Sequence, residues 1–156
     1  MSAEEQTAIA EERNTDPREG KYLTFTLADE AYGISIIKIK EIIGMIAITA
    51  IPQTPEYVKG VINLRGKVIP VIDLRLKFGI EAIDYNERTC IIVLEIVNQS
   101  STMMISIVVD SVSEVLNIKE EEIEDAPKFG ATIDTVYILG MAKSENAVKL
   151  LLDIDC

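Results

Sequence analysis

The stretch GVINLRGKVIPVIDLRL, residues 60–76, decides how this chain is read. Residues 61–64 and 67–73 are short apolar runs rich in Val and Ile, separated by Arg65-Gly66. That pattern predicts a β-hairpin with a tight turn. Glycine after Arg65 lets the chain reverse and lifts the arginine away from its own body. Pro70 has no amide hydrogen, so its strand is expected at a sheet edge or bulged at that point. Asp73 stands where it can cap a short helix over residues 74–78, which Gly79 ends. The stretch therefore describes a charged tip on a β scaffold and holds no catalytic constellation.

On the N-terminal side, Leu23, Phe25 and Leu27 alternate with polar neighbours, the period of a half-buried strand. Ala28-Asp29-Glu30 is a turn, and residues 31–34 return as the second arm of a hairpin. Ile36, Ile39 and Ile43, with Ile42 beside them, follow helical spacing behind Ser35 as N-cap. This predicts a short helix carrying Ile39 and Glu41 that runs into a strand over residues 42–51. Thr54 and Pro55 mark a helical turn that ends at Gly60. Residues 1–20 are polar and acidic, closed by Asp16-Pro17 and Gly20, and are expected to be a flexible leader to a domain over residues 21–155.

On the C-terminal side, residues 81–89 are a polar loop, and residues 90–97 are nearly continuous apolar, which suits a strand buried on both faces. Residues 98–102 turn into a strand over 103–109, Asp110-Ser111 turns again, and 112–116 follow. Residues 119–127 are a charged loop. Residues 137–142 and 148–154 form a last hairpin. Roughly ten short strands with almost no long helix predict an all-β, barrel-type fold.

With 156 residues, 48% of them apolar, the chain can build a core without disulfide or metal staples. No apolar run reaches the roughly 18–20 residues of a membrane span, and no secretory signal precedes the fold, so the cytoplasm is the expected location. Cys90 sits in a strand-like run and reads as a small buried hydrophobe; with Cys156 it makes no disulfide framework. The net charge of −11 and the lack of any basic run argue against nucleic acid and anionic membrane as partners. There is no histidine, which removes Ser-His-Asp and Cys-His catalysis and the commonest transition-metal ligand together. No phosphate-binding glycine loop or nucleophile elbow occurs. Asp153 and Asp155 share a strand face, and residues 120–125 are acidic, but both groups read as solvated charge. No catalytic residue, metal site or cofactor is expected. Arg65 with Leu64, Glu41, Ile39 and Gly60 gives instead a partly apolar patch rimmed by charge, the anatomy of a protein interface.

Several phrases in order, FTLADEAYGI, IKIKEI, GVINLRGKVIPVIDLRLKF, IVVDSVSEVL, APKF and LLLDID, resemble the CheW family of chemotaxis adaptors. The resemblance covers Tyr22 to Asp155. It implies two five-stranded SH3-like β-barrels packed around a shared hydrophobic core, with short helical turns. It also implies a non-enzymatic scaffold that couples the histidine kinase CheA, through its regulatory domain, to methyl-accepting chemotaxis receptors, reaching membrane arrays only through those partners. By the same resemblance Ile39, Glu41, Gly60, Arg65 and Val109 match receptor-binding positions. Met45, Ile46, Ile48 and Leu64 fall in the kinase-docking region, and Phe129 matches an aromatic that closes rings of adaptor and kinase. The hairpin at 98–103 is longer than in many members, Ser106 stands where glycine is common, and the chain stops where many members continue. An adaptor of a non-flagellar chemosensory pathway is the alternative within the family. A ligand-binding or enzymatic use of the groove needs convergent polar groups in an apolar pocket, and none occurs at recognisable spacing.

Overall fold

The computed structural model describes residues 17–98, 101–125, 138–144 and 147–152. The first seven strands are β1 (Gly20–Leu27), β2 (Glu30–Ser35), β3 (Ile39–Gly44), β4 (Val58–Leu64), β5 (Lys67–Asp73), β6 (Cys90–Asn98) and β7 (Ser101–Val109). Four more follow: β8 (Ser111–Ile118), β9 (Ile123–Glu124), β10 (Ile138–Ser144) and β11 (Ala147–Leu152). One α-helical turn, α1 (Leu74–Lys77), follows β5. The strands form a five-stranded sheet in the order β3-β6-β7-β5-β4 and a six-stranded sheet in the order β8-β1-β2-β11-β10-β9. Pairing is antiparallel except for β5 with β7 and β11 with β2.

The buried side chains gather into three apolar cores. Phe25, Leu27, Ile34, Ile92, Leu94 and Val109 meet between the two sheets in a shared core. Ile62, Ile69, Val71, Ile91, Val93 and Val108 fill the inside of the five-stranded sheet. Tyr22, Ile118, Ile123, Ala142 and Leu151 fill the inside of the six-stranded one. Successive residues of a strand point to opposite faces. Ile91 and Val93 therefore enter one core while Ile92 and Leu94 enter another, and all four are fully buried. The run expected at residues 90–97 is thus buried on both faces at Ile91–Leu94, whereas Glu95 and Ile96 are half-buried and Val97 is 52% exposed.

Four expectations are corrected. Residues 36–43 are not two helical turns: a single 3-10 turn at Ile36–Lys38 leads into β3, so Ile39 and Glu41 lie on a strand. The β-branched isoleucines that fit helical spacing pair instead with β6, Ile43 against Ile91 and Ile42 against Ile92. That strand ends at Gly44, and the backbone of residues 45–51 pairs with the sheet through one bridge, Thr49 to Val61. Thr54 caps no helix; its hydroxyl donates to the Ile51 carbonyl, and the Val58 amide closes a turn on Pro55. Pro70 is on an interior strand, but β7 joins β5 only from Val71 onward, so Pro70 lies just outside that ladder. Its carbonyl is taken by the buried Ser106 hydroxyl at 2.8 Å.

The order also extends further in both directions than the sequence implies. β1 starts at Gly20, Arg18 pairs with Asp125 at 2.8 Å, and Glu19 accepts from the Glu120 amide. The charged segment at 119–127 contains a 3-10 turn and β9, the latter held by Ile123 in its core.

A polar network closes one end of the shared core. Asp73, buried, caps α1 by accepting from the Arg75 amide and takes a second hydrogen bond from the Tyr85 hydroxyl. Burial first, and then the Asp73 charge and hydrogen bond, push the Tyr85 phenol well above its ordinary value. Arg75 donates to both carboxylate oxygens of Asp110. Burial by itself raises the Asp110 carboxyl, but hydrogen bonds from Arg75 and the Ala28 amide, with the Arg75 charge, outweigh it and hold the group below its usual value. The folded value thus lies below the unfolded one of about 3.9. The pair's stabilisation is full above that region and is lost as pH falls through the folded value. Asp110→Asn is therefore expected to cost about 2 kcal/mol at about pH 7, a typical figure for charge-assisted hydrogen bonds, and progressively less below about pH 4. Urea unfolding across that range checks it; a gap that stays constant with pH contradicts the assignment.

Candidate functional site

Leu64 pairs with Lys67, which leaves Arg65 and Gly66 as the two residues of the β4–β5 turn. Both have positive φ, 52° and 86°. This is the type I′ geometry, whose twist matches that of the flanking strands. Gly66 adopts it freely, whereas an L-residue with a Cβ costs about 1 kcal/mol there. Asn63 fastens the tip by accepting from the Gly66 amide at 2.9 Å. Turn chemistry alone favours Asn, Asp or Gly at position 65, so the arginine is held at a conformational cost, a feature that clusters at functional sites.

The Arg65 guanidinium donates to Glu41 of β3, joining the tip to the far side of the same sheet. Beside it Lys40 pairs with Glu95 of β6 at 2.5 Å. These two ion pairs rim a concavity of about 950 Å³ floored by Leu64, Val68, Ile69, Pro70, Met103 and Met104. The Arg65 side chain is 72% exposed, so its pair with Glu41 is worth at most about 1 kcal/mol and opens readily toward another carboxylate. Val68 and Met103 are 69% and 51% exposed and give the floor an open apolar surface, part of it flexible methionine. An apolar floor inside a charged rim suits recognition of another protein. Among the described residues no cluster of His, Cys, Asp or Glu could hold a metal ion, and no helix is long and apolar enough to cross a membrane.

The structure brings together Glu41, Leu64 and Arg65 at this mouth. Ile39 lies on the same strand as Glu41 but packs against the shared core. Gly60 is buried in β4, where its φ is +140° and a Cβ would stand 2.0 Å from the Thr49 carbonyl oxygen. Thr49 and Val61 exchange two backbone hydrogen bonds there, of 2.8 and 2.9 Å. That bridge joins the segment after β3, at one edge of the sheet, to β4 at the other. Gly60 thus acts by letting two backbones touch. Val109 is 1% exposed in the shared core, so its side chain is enclosed and offers no direct contact surface. Met45 and Ile48 pack on the core inside the five-stranded sheet, while Ile46 is 39% exposed. Phe129 lies outside the described residues.

Lys40, Glu95, Val68, Met103 and Met104 belong to the mouth and are not legible as such in the sequence. The signals that point toward them are an exposed position in an alternating strand at Val68 and a methionine pair, Met103-Met104, in the first half of β7.

Residues 21–155 match the family model of the CheW-like domain. The chain belongs to the CheW family. It is 42% identical over 135 residues to the chemotaxis protein CheW of Klebsiella aerogenes, covering 86% of this chain and 79% of that one. It is 34% identical over 134 residues to CheW of Bacillus subtilis, covering 85% and 83% respectively. The crystal structure of the scaffolding protein TtCheW from Thermoanaerobacter tengcongensis superposes with a TM-score of 0.77 at 40% identity, covering 87% of this chain and 90% of that one. The all-β fold with two sheets about a shared core is therefore that of CheW proteins, in agreement with the sequence.

Two substitutions separate the structural from the functional residues of the site. Gly60→Ala is expected to lower stability by about 3 kcal/mol, at the upper end for overpacking, because the methyl group meets backbone that cannot rotate away. Chemical denaturation checks it, and a loss under about 1 kcal/mol would remove the close-approach explanation. In a Glu41→Gln background, where the ion pair is already gone, Arg65→Asn is expected to raise stability by about 0.5–1 kcal/mol by relieving the left-handed backbone. A fall in the unfolding midpoint there would show that Arg65 is a stabilising residue after all.

Proposed function

We propose that this chain is a non-enzymatic adaptor that couples the histidine kinase CheA to methyl-accepting chemoreceptors in chemotaxis arrays. It works in the cytoplasm and reaches the membrane only through its partners. The observation that carries the reading is the mouth around Arg65. There a strained, exposed arginine and an apolar floor stand together on a rigid sheet. The names of its relatives, chemotaxis proteins and a scaffolding protein, support the same reading.

In this reading Glu41 and Arg65 meet the receptor directly, while Ile39 and Gly60 hold the strands that carry them. Ile46 and Leu64 belong to the kinase-docking face, with Met45 and Ile48 beneath it, and Phe129 serves the ring contact. Exposed Ile42, Ile46 and Ile51 along one segment supply apolar area for the kinase face. An adaptor of this kind acts by occupying two partners at once. The second contact is then made at a high effective concentration, and weak pairwise affinities add up to a stable array.

Capture experiments with purified receptor fragment and kinase regulatory domain test this. Arg65→Glu is expected to weaken receptor capture by about tenfold or more, equivalent to ~1.4 kcal/mol. Ile46→Asp is expected to weaken kinase capture comparably while leaving receptor capture intact. If both variants bind both partners as the unaltered chain does, the assignment of these faces is wrong.

A further inference from the structure

Away from the mouth, a strongly directional contact joins the two sheets. β7 of the five-stranded sheet passes into β8 of the six-stranded sheet through a single residue, Asp110. The Asp110 amide donates to the Thr26 carbonyl at 3.1 Å, and its carboxylate accepts from the Ala28 amide at 2.9 Å. Both partners belong to the first hairpin of the six-stranded sheet. The same carboxylate receives a two-pronged bond from Arg75, Nε to Oδ1 and Nη2 to Oδ2, each 2.7 Å. Arg75 stands in α1, directly after β5 of the other sheet, and its Nη1 donates to the Glu81 carbonyl at 2.9 Å. The two side chains are only 13% and 20% exposed.

The shared core that holds the sheets face to face is built of apolar side chains. Apolar burial is non-directional, and a core of the right volume accepts more than one packing. A planar guanidinium on a planar carboxylate fixes both distance and plane. α1 cannot turn to follow a displaced carboxylate, because Asp73 caps it and Leu74 is in the shared core. We propose that Arg75 and Asp110 are positioning residues that set the angle between the two sheets. A partner that touches both sheets at once meets the geometry this pair dictates. Only that last clause rests on the adaptor reading.

Residual dipolar couplings of the full chain test it. In the unaltered protein the amides of β4 to β7 and those of β1, β2 and β8 are expected to fit one alignment tensor. Arg75→Lys keeps the charge and loses the fork. The double variant Arg75→Met with Asp110→Asn removes both charges, while the new side chain at position 110 keeps a carbonyl oxygen that can still accept from the Ala28 amide. In each variant every sheet is expected to keep its own fit while the joint fit is lost. Because the double variant leaves no charge unpaired, it should recover most of the stability lost in Asp110→Asn without recovering the joint fit. A pair that only stabilises would restore the two together, and that result overturns the proposal, as does a joint fit kept in both variants. If Arg75→Lys fails to fold, the double variant alone carries the same comparison. Simultaneous capture of kinase and receptor, read on the same proteins, addresses the last clause. Undiminished double capture by a variant with split tensors overturns it, whereas failure of the unaltered chain to capture both counts against the adaptor reading instead.

Discussion

Strands β6 and β7 have no solvent face at Ile91–Leu94 and Ser106–Val109, where each lies between two apolar cores. Ile91, Ile92, Val93 and Leu94 follow one another without a polar residue, and each is fully withdrawn from water. At about 1.5–3 kcal/mol per fully buried aliphatic side chain, this short run is among the strongest apolar contributions in the chain. It also sets the register. A slip of one residue would exchange the occupants of the shared core and the five-stranded sheet's own core, and residues shaped for one would meet the other. β3 and β5 hang from this pair, and the mouth inherits its rigidity from them.

On that frame the site is built by two local devices. Gly60 brings two backbones into contact, so the segment after β3 reaches β4 and ties one edge of the sheet to the other. The type I′ turn then projects Arg65 across the mouth toward Glu41. The first device is steric and tolerates no side chain. The second holds an arginine where backbone preference favours a smaller residue. The glycine and the arginine, both singled out by the family resemblance, thus have different physical duties although they sit five residues apart.

The second sheet is held differently. Its apolar contact with the first is extensive but unspecific in direction, and the Arg75–Asp110 pair supplies the direction. A pair this well enclosed adds little net stability compared with apolar side chains of the same volume, but it is costly to break on one side. Its presence at the single-residue crossover between β7 and β8 fits a role in geometry more than in stability.

Local pattern in the chain is enough for the all-β class, the hairpin within residues 60–76, the strand at 90–97 with its doubly buried centre at Ile91–Leu94, and the short helix capped by Asp73. Each has a periodicity or turn chemistry that survives without knowledge of neighbours. Family phrases add the positions of Glu41, Gly60, Leu64 and Arg65. Residues 36–43 read as helix because Ile39 and Ile43, four apart, fit both a helical and a strand period, and only pairing with β6 chooses between them. Tertiary contacts were needed to show that Gly60 serves a backbone contact with Thr49, that Val109 is enclosed, and that Arg75 reaches Asp110, 35 residues away. The reason is the same in each case: these are contacts between residues distant along the chain, and no periodicity encodes which distant neighbour a strand or an arginine will meet.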